Sequence, residues 1–314
     1  MPDDASADVK ATDEISAGEV IRLWPEGPPR SLPGVGPESA YRAPAGVSAG
    51  TTMLRNVSDP SLTVFAPRPG EANGTGVIVC PGGGWRILAW EHEGLDVARW
   101  FAERGYTAFL LKYRVMATPA DPVAFAAELA ALDARVAAPL PAARAPRALS
   151  EIVQDDASNL AREIAADDGR GALAIVRDRA GEWGLRPERI GMIGFSAGAF
   201  LTADIAVDPQ GPPLAFAAPI YGGETRGRPV PADAPPLFTL IAQDDRLLFK
   251  MVEGLWSDWS NADRPAELHI FTRGAHGFGM IRQGLPVDRW TDLLAAWLGD
   301  QGFGQAYRAA RHIG

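Results

Sequence analysis

Cysteine is nearly absent from this chain of 314 residues, and Cys80 stands alone. One thiol excludes an internal disulfide and a thiolate metal cluster, and its place in the run TGVIVCP reads as inert packing in a buried strand. Histidine is almost as scarce, with four in all, which confines any search for a catalytic base. No apolar run approaches the ~20 residues of a membrane helix, so no membrane span is expected. Clusters of Lys and Arg are missing and the formal net charge is -9. Nucleic acid is therefore not an expected partner, because phosphate contacts draw on grouped cations. The visible start, MPDDASADVK, lacks the basic and apolar regions of a signal peptide. The expectation is a cytoplasmic protein as written, or a periplasmic or secreted one if a leader was removed. Oligomeric state is not legible in these features.

What is present describes a globular chain, with 46% hydrophobic and 22% charged residues. A fold of this size hides roughly three quarters of its unfolded surface, enough for a sizeable core. Residues 1 to about 20 are acidic and polar, and residues 24–50 are rich in Pro and Gly, so neither stretch is expected to build regular structure. We read residues 1–50 as an N-terminal arm wrapping a domain at 51–314. From residue 61 the pattern changes. LTVFAP, TGVIVCP, YTAFLLKYR, IGMIGF, AFAAPIY, LFTLIA and ELHIFT read as strands, several of them apolar throughout, as strands covered on both faces are. Helical patterns lie between them, at about 91–104, 151–167, 171–183, 197–207, 248–260 and 287–299. Strict alternation implies βαβ crossovers and a mostly parallel sheet with helices on both faces, an α/β fold. Residues 115–150 break the alternation. Asp121 can cap a helix there, Pro122 suits its first turn, and Phe125, Leu129, Leu132 and Val136 share one face, so a small helical insertion is expected over one end of the sheet.

The chemistry of an open parallel sheet collects beyond the carboxyl ends of its strands. There the strand RIGMIGF breaks at Ser196 and resumes as the helix AGAFLTADIAV, making Gly194-Phe195-Ser196-Ala197-Gly198 a G-x-S-x-G turn in strand-turn-helix context. The bland alternative is a glycine-rich turn with an incidental serine. A serine hydroxyl needs a base, and the base an orienting acid, in the chain order Ser, acid, His. His92 precedes the serine, His269 lies inside a strand and His312 in a tail, which leaves His276, on the glycine-rich loop TRGAHGFGM. The acid should follow LFTLIA, where Asp244 and Asp245 are both available. An oxyanion also needs donors. The backbone N–H of Ala197 offers one at a helix start, and Gly82, Gly83 and Gly84 of VIVCPGGGWR let further amides approach a substrate. The triplet lacks the spacing of a phosphate-binding loop.

Taken together, CPGGGW, EHEGLDVARWFAERGYTAFLLKYR, GLRPERIGMIGFSAGAF, IAQDDRLL and GAHGFGM resemble the α/β-hydrolase esterases, in particular the acetyl-xylan-esterase-like carbohydrate esterases, over about residues 55–300. The resemblance implies a triad of Ser196, Asp245 and His276, and an oxyanion hole formed by Gly83, Gly84 and Ala197, with Pro81 where many esterases carry His. It also draws attention to His92-Glu93-Gly94, either as a loop anchor or as a substrate contact. Trp85, directly after the glycines, reads as a stacking surface for substrate or as packing, and both His92 and Trp85 are candidate substrate-binding residues. Trp256 and Trp259 read as core or groove residues of a late helix, and Asp155 and Asp156 as solvent-facing.

The function expected from these features is hydrolysis of carboxylic esters through an acyl-enzyme, on short acyl groups such as acetyl carried by xylan or other carbohydrate, with no metal or organic cofactor. Two rivals are a peptidase or amidase on the same fold and a non-catalytic carbohydrate-binding relative. Ala199 stands where prolyl-oligopeptidase-type enzymes usually carry another glycine, which argues against the first. A complete set of triad candidates in order argues against the second.

Overall fold

The computed structural model describes residues 17–137 and 145–304. The first part of the arm, residues 138–144 of the insertion and His312 lie outside the described residues, as does the side chain of Val136.

Eight strands form the main sheet. In chain order these are β1 (Val20–Arg22), β4 (Ser61–Phe65), β5 (Gly76–Cys80), β7 (Thr107–Lys112), β8 (Ile190–Phe195), β9 (Ala217–Ile220), β10 (Leu237–Ala242) and β11 (Ala266–Phe271), and in space they run β1-β4-β7-β5-β8-β9-β10-β11. The β1/β4 and β4/β7 pairs are antiparallel, and every pair from β7 to β11 is parallel. The apolar runs end up where such runs must: β4, β5, β8, β9 and β10 are buried at every position. Helices α1 (Asp96–Ala102), α3 (Asp156–Asp178), α4 (Ala197–Ala206), α5 (Phe249–Asn261) and α6 (Trp290–Asp300) cover the sheet.

Several expectations need correction. The arm is not wholly irregular. Its β1 adds an antiparallel edge to the main sheet, and β2 (Ser39–Arg42) pairs with β3 (Thr52–Arg55), which pairs with β6 (Ile87–Leu88), in a second small sheet. These strands borrow their hydrogen bonds from distant partners, so local composition hides them. The two helices expected at 151–167 and 171–183 are one, α3, which runs through Gly169 and Gly171. Both glycines sit at close approaches: a Cβ on Gly169 would stand 2.8 Å from Leu201, and one on Gly171 2.8 Å from the Trp24 indole. Tertiary contact outweighs propensity here. The alternation also fails between β9 and β10, where proline-rich residues 221–236 connect parallel neighbours without a helix.

The insertion does form a helix, α2 (Pro122–Ala137), opened by Asp121, whose carboxylate accepts the Ala124 N–H at 2.8 Å. Phe125 and Leu129 pack on Ala43, Met53, Ile87 and Ala89 of the small sheet and its surroundings, and Leu132 lies against Gly84. The insertion thus covers the glycine loop that follows β5.

Candidate active site

Four strands of the parallel part of the sheet, β5 and β8 on one side of β9, and β10 and β11 on the other, deliver the chemistry. The glycine loop follows β5, Ser196 follows β8, the two aspartates follow β10, and His276 follows β11. At the β8–α4 junction Ser196 adopts φ 49°, ψ -114°, a conformation costly for a residue with a side chain and typical of functional turns. The small neighbours make it possible. A Cβ on Gly194 would stand 2.0 Å from the Gly198 carbonyl oxygen, and one on Gly198 2.1 Å from that of Cys80, so strand, turn and helix close only without them. Cys80 itself is fully buried, its thiol pushed well up by desolvation.

The Ser196 hydroxyl lies 2.9 Å from His276 Nε2, and His276 Nδ1 lies 2.7 Å from Asp245 Oδ2. This places an imidazole with Nδ1–H donating to Asp245 and Nε2 free to accept the serine proton. Asp245 is 1% exposed and also accepts the Leu248 N–H at 3.3 Å. Asp244 turns the other way and accepts the N–H groups of Gly274 and Ala275, at 3.1 and 2.9 Å, tying down the histidine loop. Burial opposes a charge on His276, but Asp245 and Glu93 favour it more, so its pKa lies above the ordinary 6.5.

Gly83, Gly84 and Ala197 line a cavity of about 590 Å³ together with Ser196 and His276. Among the described residues none of their backbone N–H groups has a protein acceptor. Gly82, by contrast, donates its N–H to the buried carboxylate of Glu93 at 2.7 Å. Trp85 and His92 also line this cavity, both almost fully buried, and among the described residues neither Trp85 Nε1 nor His92 Nδ1 has a hydrogen-bond partner. Trp85 sits at φ 58° with its ring tilted over Phe200, 5.9 Å between centroids. Arm residues Ala45–Ser48 and Leu132 of the insertion complete the walls.

The remaining candidates fall elsewhere. His269, on β11, pairs with Glu267 at 2.6 Å. Of the two tryptophans read as core or groove residues, Trp259 is core and Trp256 is 36% exposed. Asp155 faces solvent, as expected of it, and also caps α3 through the Ser158 N–H at 2.7 Å. Sequence reasoning missed Tyr221, buried at the end of β9, whose hydroxyl donates to Glu93 at 2.6 Å and whose ring stands edge-on to His276, 5.1 Å away. The signal was available: a tyrosine at the carboxyl end of the strand next to the one carrying the serine.

Among solved structures, the chain is similar to an acetyl ester-xyloside bifunctional hydrolase from Caldicellulosiruptor lactoaceticus (TM-score 0.59, 21% identity, 93% of this chain and 99% of that one). It is also similar to MGS-M1, an α/β hydrolase enzyme from a Medee basin deep-sea metagenome library (TM-score 0.55, 19% identity, 84% and 98%). An esterase from Thermogutta terrifontis bound to propionate matches too (TM-score 0.53, 19% identity, 81% and 93%). A curated relative, the acetylxylan esterase of Xylanibacter ruminicola, is 24% identical over 284 residues, which cover 79% of this chain and 50% of that protein. The chain thus spans about half the length of that relative. Fold and family define the class, a hydrolase family with the α/β-hydrolase fold. Within that class the chain belongs to the dienelactone hydrolase family, whose model matches residues 63–289. No helix among the described residues is long and apolar enough to cross a membrane.

Proposed function

We propose that this hydrolase cleaves short acyl esters, acetyl above all, carried on carbohydrate, with Ser196 as nucleophile, His276 as base and Asp245 as the orienting acid. The observation that carries the reading is the unbroken relay from Asp245 through His276 to Ser196, 2.7 and 2.9 Å, beside three amides with no acceptor among the described residues. His276 accepts the Ser196 proton as the oxygen attacks the ester carbonyl. The amides of Gly83, Gly84 and Ala197 receive the oxyanion, each worth about 3 to 4 kcal/mol of transition-state stabilisation in comparable sites. His276 then protonates the departing alcohol, and water repeats the sequence against the acyl-enzyme. Trp85 and His92 line the cavity wall, where the Trp85 ring offers substrate an apolar face. The acetyl and carbohydrate preference is supported by the names of the Xylanibacter and Caldicellulosiruptor relatives. Replacing Ser196 with Ala is expected to lower turnover of p-nitrophenyl acetate and of acetylated xylan by a factor on the order of 10⁶. A folded Ser196→Ala protein turning over at the parent rate would overturn the assignment.

A further inference from the structure

Glu93 takes no part in the proton relay, yet it is the best-connected charge behind it. It stands on a π-helical turn, Glu91–Leu95, where the chain bulges just before α1, a feature often found at functional sites. Only 2% of it is exposed, and among the described residues no lysine or arginine pairs with it. Among the described residues its one ion-pair contact is His92 Nε2, at 3.9 Å. Burying a carboxylate without a cation is costly, and an apolar side chain would serve stability better. Its two oxygens instead hold two loops. Oε2 accepts the Gly82 N–H at 2.7 Å, and Oε1 accepts the Tyr221 hydroxyl at 2.6 Å. The Tyr221 hydroxyl in turn accepts the Gly279 N–H at 3.1 Å, and its ring backs both His276 and Phe278, at 5.1 and 4.7 Å between centroids.

We propose that Glu93 is a positioning residue that sets the oxyanion loop with one carboxylate oxygen and, through Tyr221, the histidine loop with the other, so that the two halves of the active site keep their distance as one unit. The proposal rests on the triad reading above. With the Gly82 N–H engaged, the next amides along the loop, those of Gly83 and Gly84, are the ones left for substrate. With Tyr221 held, the imidazole of His276 has a fixed aromatic wall, edge-on at 5.1 Å between centroids. Shifts of about 1 Å between such groups cost on the order of 10² in rate. The charge itself has a second effect, because Glu93 favours the protonated form of His276. The other groups facing His276 are Asp245 and the phenol of Tyr221, with His92 beyond Glu93 and Asp244 turned away onto the Gly274 and Ala275 amides; all of these are retained when Glu93 alone is changed.

Glu93→Gln separates brace from bulk. The amide has the same shape, its oxygen can accept the Gly82 N–H and its NH₂ can donate to Tyr221, so a residue that merely filled space would tolerate it. The expected result is a kcat for p-nitrophenyl acetate lowered about 10- to 100-fold with KM little changed. The acid limb of kcat/KM is expected to move to lower pH, because His276 loses a neighbouring negative charge and must still be neutral to act. Glu93→Ala should lose more of kcat than Glu93→Gln, and the Glu93→Gln/Tyr221→Phe double variant should lose less than the product of the single losses, since both act on one link. Should Glu93→Gln fail to fold, Tyr221→Phe alone carries the test through a lowered kcat at unchanged KM. A parent protein whose Ser196 takes a fluorophosphonate label, with a folded Glu93→Gln variant matching it in kcat and in acid limb, would overturn the brace alone. A parent that takes no label would overturn the reading of the site, and the brace with it.

Discussion

Asp244 and Asp245 are neighbours in the chain, yet their carboxylates meet different partners: Asp245 the imidazole of His276, Asp244 the amides of Gly274 and Ala275. From the sequence both follow β10 and both suit an orienting acid. The choice between them depends on which way one turn points two side chains, and that is decided by the buried Leu248 N–H and the loop opposite, contacts that no spacing reveals. The meeting of Ser196 and His276, by contrast, was legible, because a strained turn demands small neighbours and His276 sits on a glycine-rich loop just past the last strand. The separation of roles predicts a separation of losses. Asp245→Asn is expected to cost about 10⁴ in kcat, because an amide does not hold the Nδ1–H tautomer. Asp244→Ala, on the exposed side of the loop, should cost only about tenfold through a loosened histidine. Steady-state kinetics on p-nitrophenyl acetate decides it, and equal losses would contradict the assignment of roles.

At the scale of elements, periodicity identified most of the strands and helices of the main sheet, because burial on both faces leaves an unbroken apolar signature. It failed where a glycine means contact rather than termination. Gly169 lies in the gap between the helices expected at 151–167 and 171–183, and the structure has α3 pass through it against α4. Two glycine substitutions test this reading. Ala is better than Gly inside a helix by about 1 kcal/mol. At Gly254, in α5, the space around an added Cβ is open to 4 Å, so Gly254→Ala should stabilise the protein by about 0.5 to 1 kcal/mol. At Gly169 the same methyl would meet Leu201 at 2.8 Å and Ile205 at 3.3 Å. Leu201 is 1% exposed and has nowhere to swing. Overpacking of this kind costs about 1 to 3 kcal/mol, so Gly169→Ala should be destabilising despite its propensity. Urea denaturation at constant m would show midpoints moving in opposite directions, and a stabilised Gly169→Ala would mean that α3 and α4 are less tightly apposed than described here.

For the whole molecule, the attachment of the arm is the feature furthest from what composition can reveal, since its anchors pair residues far apart in sequence. Asp168, on α3, is fully buried and receives Arg114 Nη2 at 2.6 Å, the Arg114 N–H at 3.0 Å and the Trp24 indole N–H at 2.8 Å. Arg114, 2% exposed, also donates to the Arg30 carbonyl, and the Arg30 side chain crosses to Asp167 at 2.7 Å and Glu163 at 3.0 Å. One buried carboxylate therefore joins the end of β7, a sheet-covering helix and the arm, whose continuation at Ala45–Ser48 lines the catalytic cavity. Removing it leaves Arg114 buried without its counter-charge, a loss of about 3 to 5 kcal/mol, whereas Asp167→Ala deletes a more exposed pair worth about 1 kcal/mol or less. Asp168→Ala should thus lower unfolding free energy several-fold more than Asp167→Ala. It should also open the arm to trypsin at Arg22 and Arg30 under conditions where the parent and Asp167→Ala resist. Equal stability losses in the two variants, with the arm equally resistant in both, would mean that the small sheet rather than Asp168 holds the arm in place.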